Sequence, residues 1–225
     1  MIRLPLYRHG AAREADETYE LAPSKILGVG RNYRAHAAEM GADVPAEPLI
    51  FLKAPSSLLA PGDRIVRPAG WERVDHEGEL GVIIGQRARH VAAERVLDDG
   101  TVLGYVCVND VTVRAMQKQD GQWWRAKGMD TFCPVGPRIV CDLDPSDVRV
   151  QTRVDGELRQ DGRTSAMIFS VPELIAYISR HMTLEPGDLI TTGTPEGVGN
   201  MPAGARVTVE VEGIGVLENT VAVES

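Results

Sequence analysis

The sequence predicts an α+β fold that is predominantly β: a mixed, mainly antiparallel sheet structure with short helices. Three observations carry this. Short apolar or alternating stretches outnumber segments with helical periodicity. Most of them are separated by turn signals such as Pro61-Gly62-Asp63, Asp155-Gly156 and Glu185-Pro186-Gly187-Asp188 rather than by helices. Repeated strand-helix units, which a doubly wound sheet needs, are missing, and no internal repeat is visible.

In chain order, Ile2 to Tyr7 and Tyr19 to Leu21 read as an edge hairpin. Residues 1–24 are too short to be a domain and form an extension to a single unit of residues 25–225. Ser24 to Gly30 is a strand ending in glycine. The segment from Arg31 has helix formers and closes on Gly41, which predicts a short helix of some ten residues. Such a helix is marginal alone and reads as a lid that orders over substrate. Gly28-x-Gly30 lacks the third glycine of a dinucleotide fingerprint, with Tyr33 standing there, so that reading is rejected.

Leu49 to Lys53 and Ile65-Val66 are short strands, and Leu80 to Ile84 is a buried one. Gln86 to Asp99 is a loop with one helical turn, Ala92 to Val96. Thr101 to Asp110 reads as an apolar strand buried on both faces, with Asp110 at its C-terminal end. Val148 to Val154 alternates and enters a hairpin turn at Asp155-Gly156. Ser170-Val171-Pro172-Glu173 is a capping box that opens a helix to about Met182, with Leu174, Ile175, Ile178 and Met182 as its apolar stripe. Leu189 to Thr192 is a strand, and Val207 to Val216 begins a closing hairpin.

A chain of 225 residues has ample length for a core, and 43% hydrophobic with 25% charged residues is ordinary for a soluble globular protein. The net charge of -8, with no block of Lys or Arg, makes nucleic acid and anionic membrane poor partners. No apolar run approaches the roughly 20 residues of a membrane helix, and the N-terminus lacks a signal-peptide core, which points to the cytoplasm. Cys107, Cys133 and Cys141 have neither paired spacing nor an even count, which argues against a disulfide framework or a zinc ribbon.

The chemistry centres on Asp75-His76-Glu77-Gly78-Glu79-Leu80. If this is the lead-in to a buried strand, the two-residue repeat puts Glu77 and Glu79 on one face, where like charges repel unless one is protonated or a cation lies between them. The alternative is a solvated strand end. Asp110, at the end of its own apolar strand, is either the N-cap of a helix over Val111 to Gln117 or a third oxygen ligand. Three carboxylates suit a hard cation, magnesium, manganese or calcium, rather than zinc. His36 and Glu39 share a helical face, so the pair is either a proton acceptor oriented by a carboxylate or a surface ion pair. Lys53 is a candidate for a substrate carboxylate or simply marks a strand end. Lys127, set beside Gly128, can hold an oxyanion, and the Thr194 hydroxyl and amides of the Gly193 to Gly199 loop can bind a carboxylate.

Several segments agree with one family. Gly30-Arg31-Asn32-Tyr33-x-x-His36-x-x-Glu39-Met40, Glu47-Pro48-x-x-Phe51-x-Lys53, His76-Glu77-x-Glu79-Leu80, Asn109-Asp110, Arg125-Ala126-Lys127-Gly128 and Thr192-Gly193-Thr194-Pro195-x-Gly197-Val198-Gly199 resemble the fumarylacetoacetate hydrolase family in order and spacing. The short N-terminus resembles its small acylpyruvase and oxaloacetate decarboxylase members. The resemblance implies the family's mixed β-sandwich or roll, a homodimer, and magnesium on Glu77, Glu79 and Asp110. It implies that His36 and Glu39 activate a water, that Lys127 steadies an enolate or oxyanion, and that Arg31, Tyr33, Gln117 and Thr194 meet substrate. The implied substrate is a 2-oxo acid with a second carbonyl or carboxylate, processed through a metal-chelated enolate by acylpyruvate hydrolysis or oxaloacetate decarboxylation. Isomerase or tautomerase action on a 2-hydroxyhepta-2,4-diene-1,7-dioate or oxaloacetate is the alternative, and a non-catalytic β module with a structural cation is a third. One departure is Arg114-Ala115, where many relatives carry Arg-Asp.

Overall fold

The computed structural model describes residues 1–8, 15–41 and 43–224. Its first half contains β1 (Ile2–Tyr7), β2 (Glu17–Leu21), β3 (Ile26–Gly30), α1 (Arg34–Glu39), β4 (Leu49–Lys53), β5 (Leu58–Leu59), β6 (Arg64–Arg67), β7 (Asp75–His76), β8 (Gly78–Ile84) and β9 (Val102–Asn109). Then come α2 (Arg114–Gln119), α3 (Trp124–Lys127), β10 (Cys133–Val140), β11 (Arg149–Val154), β12 (Glu157–Arg163), α4 (Val171–His181), β13 (Leu189–Thr191), β14 (Gly199–Asn200), β15 (Arg206–Val211) and β16 (Gly215–Val223). A nine-stranded sheet runs β2-β1-β10-β9-β8-β13-β3-β4, with β5 also on β10, and a five-stranded sheet runs β12-β11-β15-β16-β6. Among the described residues the parallel pairs are β1 with β10, β5 with β10, β3 with β13 and β6 with β16. The other pairs are antiparallel, so the expected mixed, mainly antiparallel β architecture is what the chain forms.

Side chains alternate across a strand, and this decides how the sheets pack. Tyr105 and Cys107 of β9 enter a core shared with Val150, Val209 and Leu217 of the smaller sheet and with Leu174, Ile175 and Ile178 of α4. Val106 and Val108, on the opposite face, join Leu4, Leu6, Val135 and Leu189. Burial on both faces is what the unbroken apolar run at Thr101 to Asn109 requires. The residues that begin α4 form both arms of its capping box: the Ser170 amide donates to Glu173 Oε2 at 2.7 Å, and the Glu173 backbone amide donates to the Ser170 side chain. Asp155 and Gly156 are both left-handed (φ 52° and 83°), as a two-residue hairpin turn between right-twisted strands demands.

The expected N-terminal edge hairpin forms, and the expected helix length changes. The N-terminal hairpin is an integral edge of the large sheet: Ile2 pairs with Leu21, Leu6 pairs with Ile139 of β10, and Leu4, Leu6 and Leu21 are fully within the core. The polar link inside that hairpin, at 9–14, lies outside the described residues. The lid helix is only six residues, because Tyr33 is held extended ahead of it, bridged to Met167, and Asn32 is fixed by its side chain. The Asn32 amide donates to the carbonyls of Phe169 (2.9 Å) and Thr192 (2.8 Å), and its oxygen accepts from the Phe169 amide at 2.8 Å.

The approach to β3 is stapled to β13 by one buried side chain. Asp188 accepts from the amides of Ser24 (3.0 Å), Lys25 (3.1 Å) and Glu185 (2.8 Å), from the Ser24 hydroxyl at 2.7 Å and from the Lys25 ammonium. Burial alone raises its pKa, but the Glu185 amide, Lys25 and Ser24 outweigh burial and hold it below the usual carboxylate range. A depressed folded-state pKa contributes stability that is present above the unfolded value, about 3.9, and is lost as pH falls through the folded one. Asp188→Ala is expected to cost about 3 kcal/mol and to lower Tm by about 6–12 °C. Urea titrations at neutral pH and near pH 3 should show the wild-type advantage shrinking with acid; equal stability of the two proteins at neutral pH would contradict the staple.

Candidate active site

The register of two strands builds the centre of the site. Gly78 of β8 lies opposite Asn109 of β9, and Glu79 opposite Val108. Pairing continues one step past the ladder, with the Asp110 amide donating to the Glu77 carbonyl at 2.8 Å and the Glu77 amide to Asn109 Oδ1 at 3.0 Å. Glu77 is thereby set beside Asp110, with Glu79 two residues along β8. Ligand oxygens of the three carboxylates lie within 4.8 Å of one another, and the residues are 4%, 1% and 1% exposed in the order Glu77, Glu79, Asp110. That burial removes the solvated strand end as a reading of Glu77 and Glu79. The N-cap reading of Asp110 is also corrected: α2 starts at Arg114, because Thr112 is held extended by paired backbone bonds to Asp75 at 2.8 and 3.1 Å.

Three buried cations compensate the cluster. Lys127 Nζ donates to Glu77 Oε2 (2.8 Å), Asp110 Oδ2 (2.5 Å) and Thr112 Oγ1 (2.9 Å), which uses all three of an ammonium's donors. Lys53 Nζ donates to Asp110 Oδ1 at 2.6 Å and to the Lys127 carbonyl. Arg114 donates to Glu77 Oε1 (2.5 Å), Asp75 Oδ2 (3.1 Å) and Gln117 Oε1 (2.6 Å). Burial would raise the pKa of Glu77, but Lys127 and Arg114 hold it below the usual range. Burial likewise works against charge on Lys127, yet Asp110 and Glu77 raise its pKa.

Glu79 is different. Its one hydrogen bond among the described residues is from the Gly193 amide, at 2.7 Å, and no cation is bonded to it. Burial, then Asp110 and Glu77, push its pKa well above the carboxylate range. Gly193 is required there, since its φ of 98° is left-handed and a Cβ would stand 2.7 Å from that of Asn32. An all-oxygen donor set with one carboxylate lacking a positive partner fits a hard divalent cation.

A cleft of about 270 Å³ opens beside this centre, lined among others by Arg31, His36, Glu77, Gln117, Lys127 and Thr194. His36 is 5% exposed, and its Nδ1 lies 3.1 Å from Glu39 Oε2. The Gly197 amide donates to Glu39 Oε1 at 3.1 Å, so the glycine-rich loop holds the carboxylate that orients the imidazole. Thr194 Oγ1 donates to the Gly78 carbonyl at 2.9 Å and accepts from Gln160 Nε2 at 2.7 Å. Two expected substrate contacts lie outside the cleft lining. Lys53 is 2% exposed and spent on Asp110, and Tyr33 is 1% exposed with its hydroxyl lacking a hydrogen-bond partner among the described residues.

Sequence reasoning missed two residues. Arg114 clamps Asp75, Glu77 and Gln117, yet in the sequence it drew notice only for the residue that follows it; Ala115 is exposed, so that departure does not enter the buried network. Gln160 comes from β12 in the other sheet. Its Oε1 accepts from the Gly78 amide at 2.9 Å and lies 3.1 Å from His76 Nδ1, while its amide reaches Thr194. Flanked by Arg159 and Asp161 in a polar strand, it carries no local signal.

The model of the family described as "Fumarylacetoacetate (FAA) hydrolase C-terminal" matches residues 25–222. Oxaloacetate tautomerase YisK of Bacillus subtilis is 43% identical over 213 residues, which cover 88% of this chain and 70% of that protein. The crystal structure of 2-hydroxyhepta-2,4-diene-1,7-dioate isomerase from Mycobacterium marinum superposes with a TM-score of 0.85 at 42% identity, over 95% of this chain and 83% of that one. Fumarylpyruvate hydrolase from Pseudomonas aeruginosa, solved in complex with Mn2+ and pyruvate, gives a TM-score of 0.86 at 32% identity, over 98% and 96%. With the family model spanning nearly the whole chain and relatives this similar over most of their length, the protein belongs to the fumarylacetoacetate hydrolase family of enzymes.

Proposed function

We propose that this protein is a divalent-cation-dependent enzyme that acts on 2-oxo acids bearing a second carbonyl or carboxylate, by acylpyruvate hydrolysis or oxaloacetate decarboxylation. The observation that carries the reading is the buried Glu77, Glu79 and Asp110 cluster beside a small cleft that also holds the His36 and Glu39 pair. The manganese and pyruvate in the fumarylpyruvate hydrolase structure support it, as does the oxygen-only donor set. Magnesium, manganese or calcium held by the three carboxylates would supply electrostatic stabilisation of negative charge developing on substrate oxygens.

The chain's own residues do the rest. Glu39 accepts from His36 Nδ1, which leaves Nε2 as the proton acceptor. In hydrolysis a water adds its oxygen to the second carbonyl carbon while His36 takes a water proton. The bond from that carbon to the carbon next to the 2-oxo group then breaks, and its electron pair goes to the 2-oxo end as an enolate. Protonation of that carbon gives the 2-oxo acid, and the other fragment leaves as a carboxylic acid. Lys127 meets the developing oxyanion by exchanging one of its carboxylate bonds for the substrate oxygen. Gln117, fixed by Arg114, and Arg31 position the substrate's polar groups. A tautomerase or isomerase reading uses the same enolate, with a proton removed from one atom and added to another and no carbon-carbon bond cleaved. Its support is that an oxaloacetate tautomerase and a 2-hydroxyhepta-2,4-diene-1,7-dioate isomerase are 43% and 42% identical to this chain.

Adding magnesium or manganese at about 100 times Kd is expected to stabilise the fold by about 2.7 kcal/mol, a Tm rise of about 5–11 °C. Glu79→Gln should lose that rise while the metal-free protein stays at least as stable as wild type, because Gln keeps an oxygen for the Gly193 amide and removes a carboxyl whose charged form burial, Asp110 and Glu77 disfavour; a full metal-induced rise in this variant would count against the centre. Activity is read on oxaloacetate, acetylpyruvate, fumarylpyruvate and a 2-hydroxydienedioate, following carbon dioxide, pyruvate and enol absorbance separately. His36→Ala is expected to keep the metal-induced Tm rise and to lose about 10²–10⁴ in pyruvate release. Enol loss without pyruvate, surviving in His36→Ala, would replace hydrolysis by tautomerisation.

A further inference from the structure

The cleft carries more positive charge than the carboxylate centre uses. In a chain of net charge -8, its lining includes Arg31, Arg114, Lys118 and Lys127 against the single carboxylate Glu77. Arg114 and Lys127 are spent on Glu77, Asp75 and Asp110. The side chains of Arg31 and Lys118 have no ion-pair or hydrogen-bond partner among the described residues. Two cations of one sign facing the same confined space repel each other, an arrangement that becomes favourable when an anion enters.

The backbone supports the same reading. Arg31 is left-handed, with φ 57°, a conformation costly for a residue with a side chain and typical of functional positions that the surrounding structure enforces. It immediately follows β3 and precedes Asn32, which is locked by its bonds to Phe169 and Thr192, so the strain is imposed from a rigid neighbour. Lys118 follows Gln117 on α2 and is exposed, whereas the three carboxylates are buried. Its ammonium therefore belongs to the solvent end of the cleft. Val29, Met40 and Trp123 are the apolar side chains of the same lining, and a volume of about 270 Å³ admits only a small molecule.

We infer that Lys118, together with Arg31, forms a second anion subsite toward the cleft mouth, which takes the terminal carboxylate of a dicarboxylic 2-oxo acid. The inference rests on the proposed function, in that the 2-oxo end is placed at Glu77, Glu79 and Asp110. It makes Lys118 the residue that separates dicarboxylic from monocarboxylic substrates. A charge-assisted bond to that carboxylate adds to binding of the dianion and contributes nothing to a substrate whose tail ends in a methyl group.

The test is calorimetric binding to the magnesium-loaded protein of two five-carbon probes that differ only at the far end, 2-oxoglutarate and 2-oxovalerate. Wild type is expected to bind 2-oxoglutarate about tenfold more tightly. Lys118→Gln should bring that ratio to about twofold or less, and Lys118→Arg should keep most of it. Arg34→Gln removes a nearby exposed charge outside the cleft lining and should leave the ratio as in wild type. No preference in wild type, no binding of either probe, an unmoved ratio in Lys118→Gln, or an equal loss in Arg34→Gln would each overturn the subsite. The readout does not depend on turnover. An unmoved ratio in a protein that turns over 2-oxo acids removes the subsite alone; a ratio that collapses in Lys118→Gln while no 2-oxo acid is turned over removes the catalytic reading and leaves the subsite standing.

Discussion

The structure depends on one electrostatic constraint: three carboxylates at the ends of β8 and β9 are buried within 4.8 Å of one another. Removing each from water costs several kcal/mol, and mutual repulsion adds to that, so the fold must bring positive charge to the same place. It does so from three directions. Lys53 arrives on β4, Lys127 on α3 and Arg114 on α2, and their bonds fall on Glu77 and Asp110. Glu79 receives only a backbone amide. With Glu79 reached by no bonded side-chain cation among the described residues, the cluster differs from a self-contained salt-bridge network.

The rest of the molecule can be read as support for that placement. The large sheet carries the carboxylates on its two central strands, buried on both faces, where the backbone has least freedom to shift them. The smaller sheet packs against the same strands and sends Gln160 across to Gly78 and Thr194, so that a residue between two ligands and a residue of the cleft share one partner. The glycine-rich loop does the same from the other side, with Gly193 on Glu79 and Gly197 on Glu39. The carboxylate cluster and the imidazole pair are therefore positioned by common backbone, and a shift of that loop moves both.

Much of this was legible in the sequence because it is local. The two-residue repeat put Glu77 and Glu79 on one face, the unbroken apolar run marked β9 as doubly buried, and the helical spacing paired His36 with Glu39. Ser170 with Glu173, and Asp155 with Gly156, fixed a helix start and a hairpin by chemistry confined to a few residues. What escaped depends on distant chain. The lid helix came out short because Asn32 is held by Phe169 and Thr192, more than 130 positions away by their numbering. Lys53 was legible as a functional lysine but not as one facing inward to Asp110, since a short apolar strand does not say which side carries the cleft. Arg114 and Gln160 act only through partners that topology brings to them.

The central claim is that Glu77, Glu79 and Asp110 form one cation site, and it is tested most directly by anomalous scattering from crystals of the protein soaked in manganese. The account predicts a single strong manganese peak enclosed by the carboxylate oxygens of those three residues, with a direct bond from Glu79, the carboxylate that no side-chain cation reaches. Manganese bound elsewhere with nothing at that position, or a peak there that leaves Glu79 uncoordinated, would contradict it.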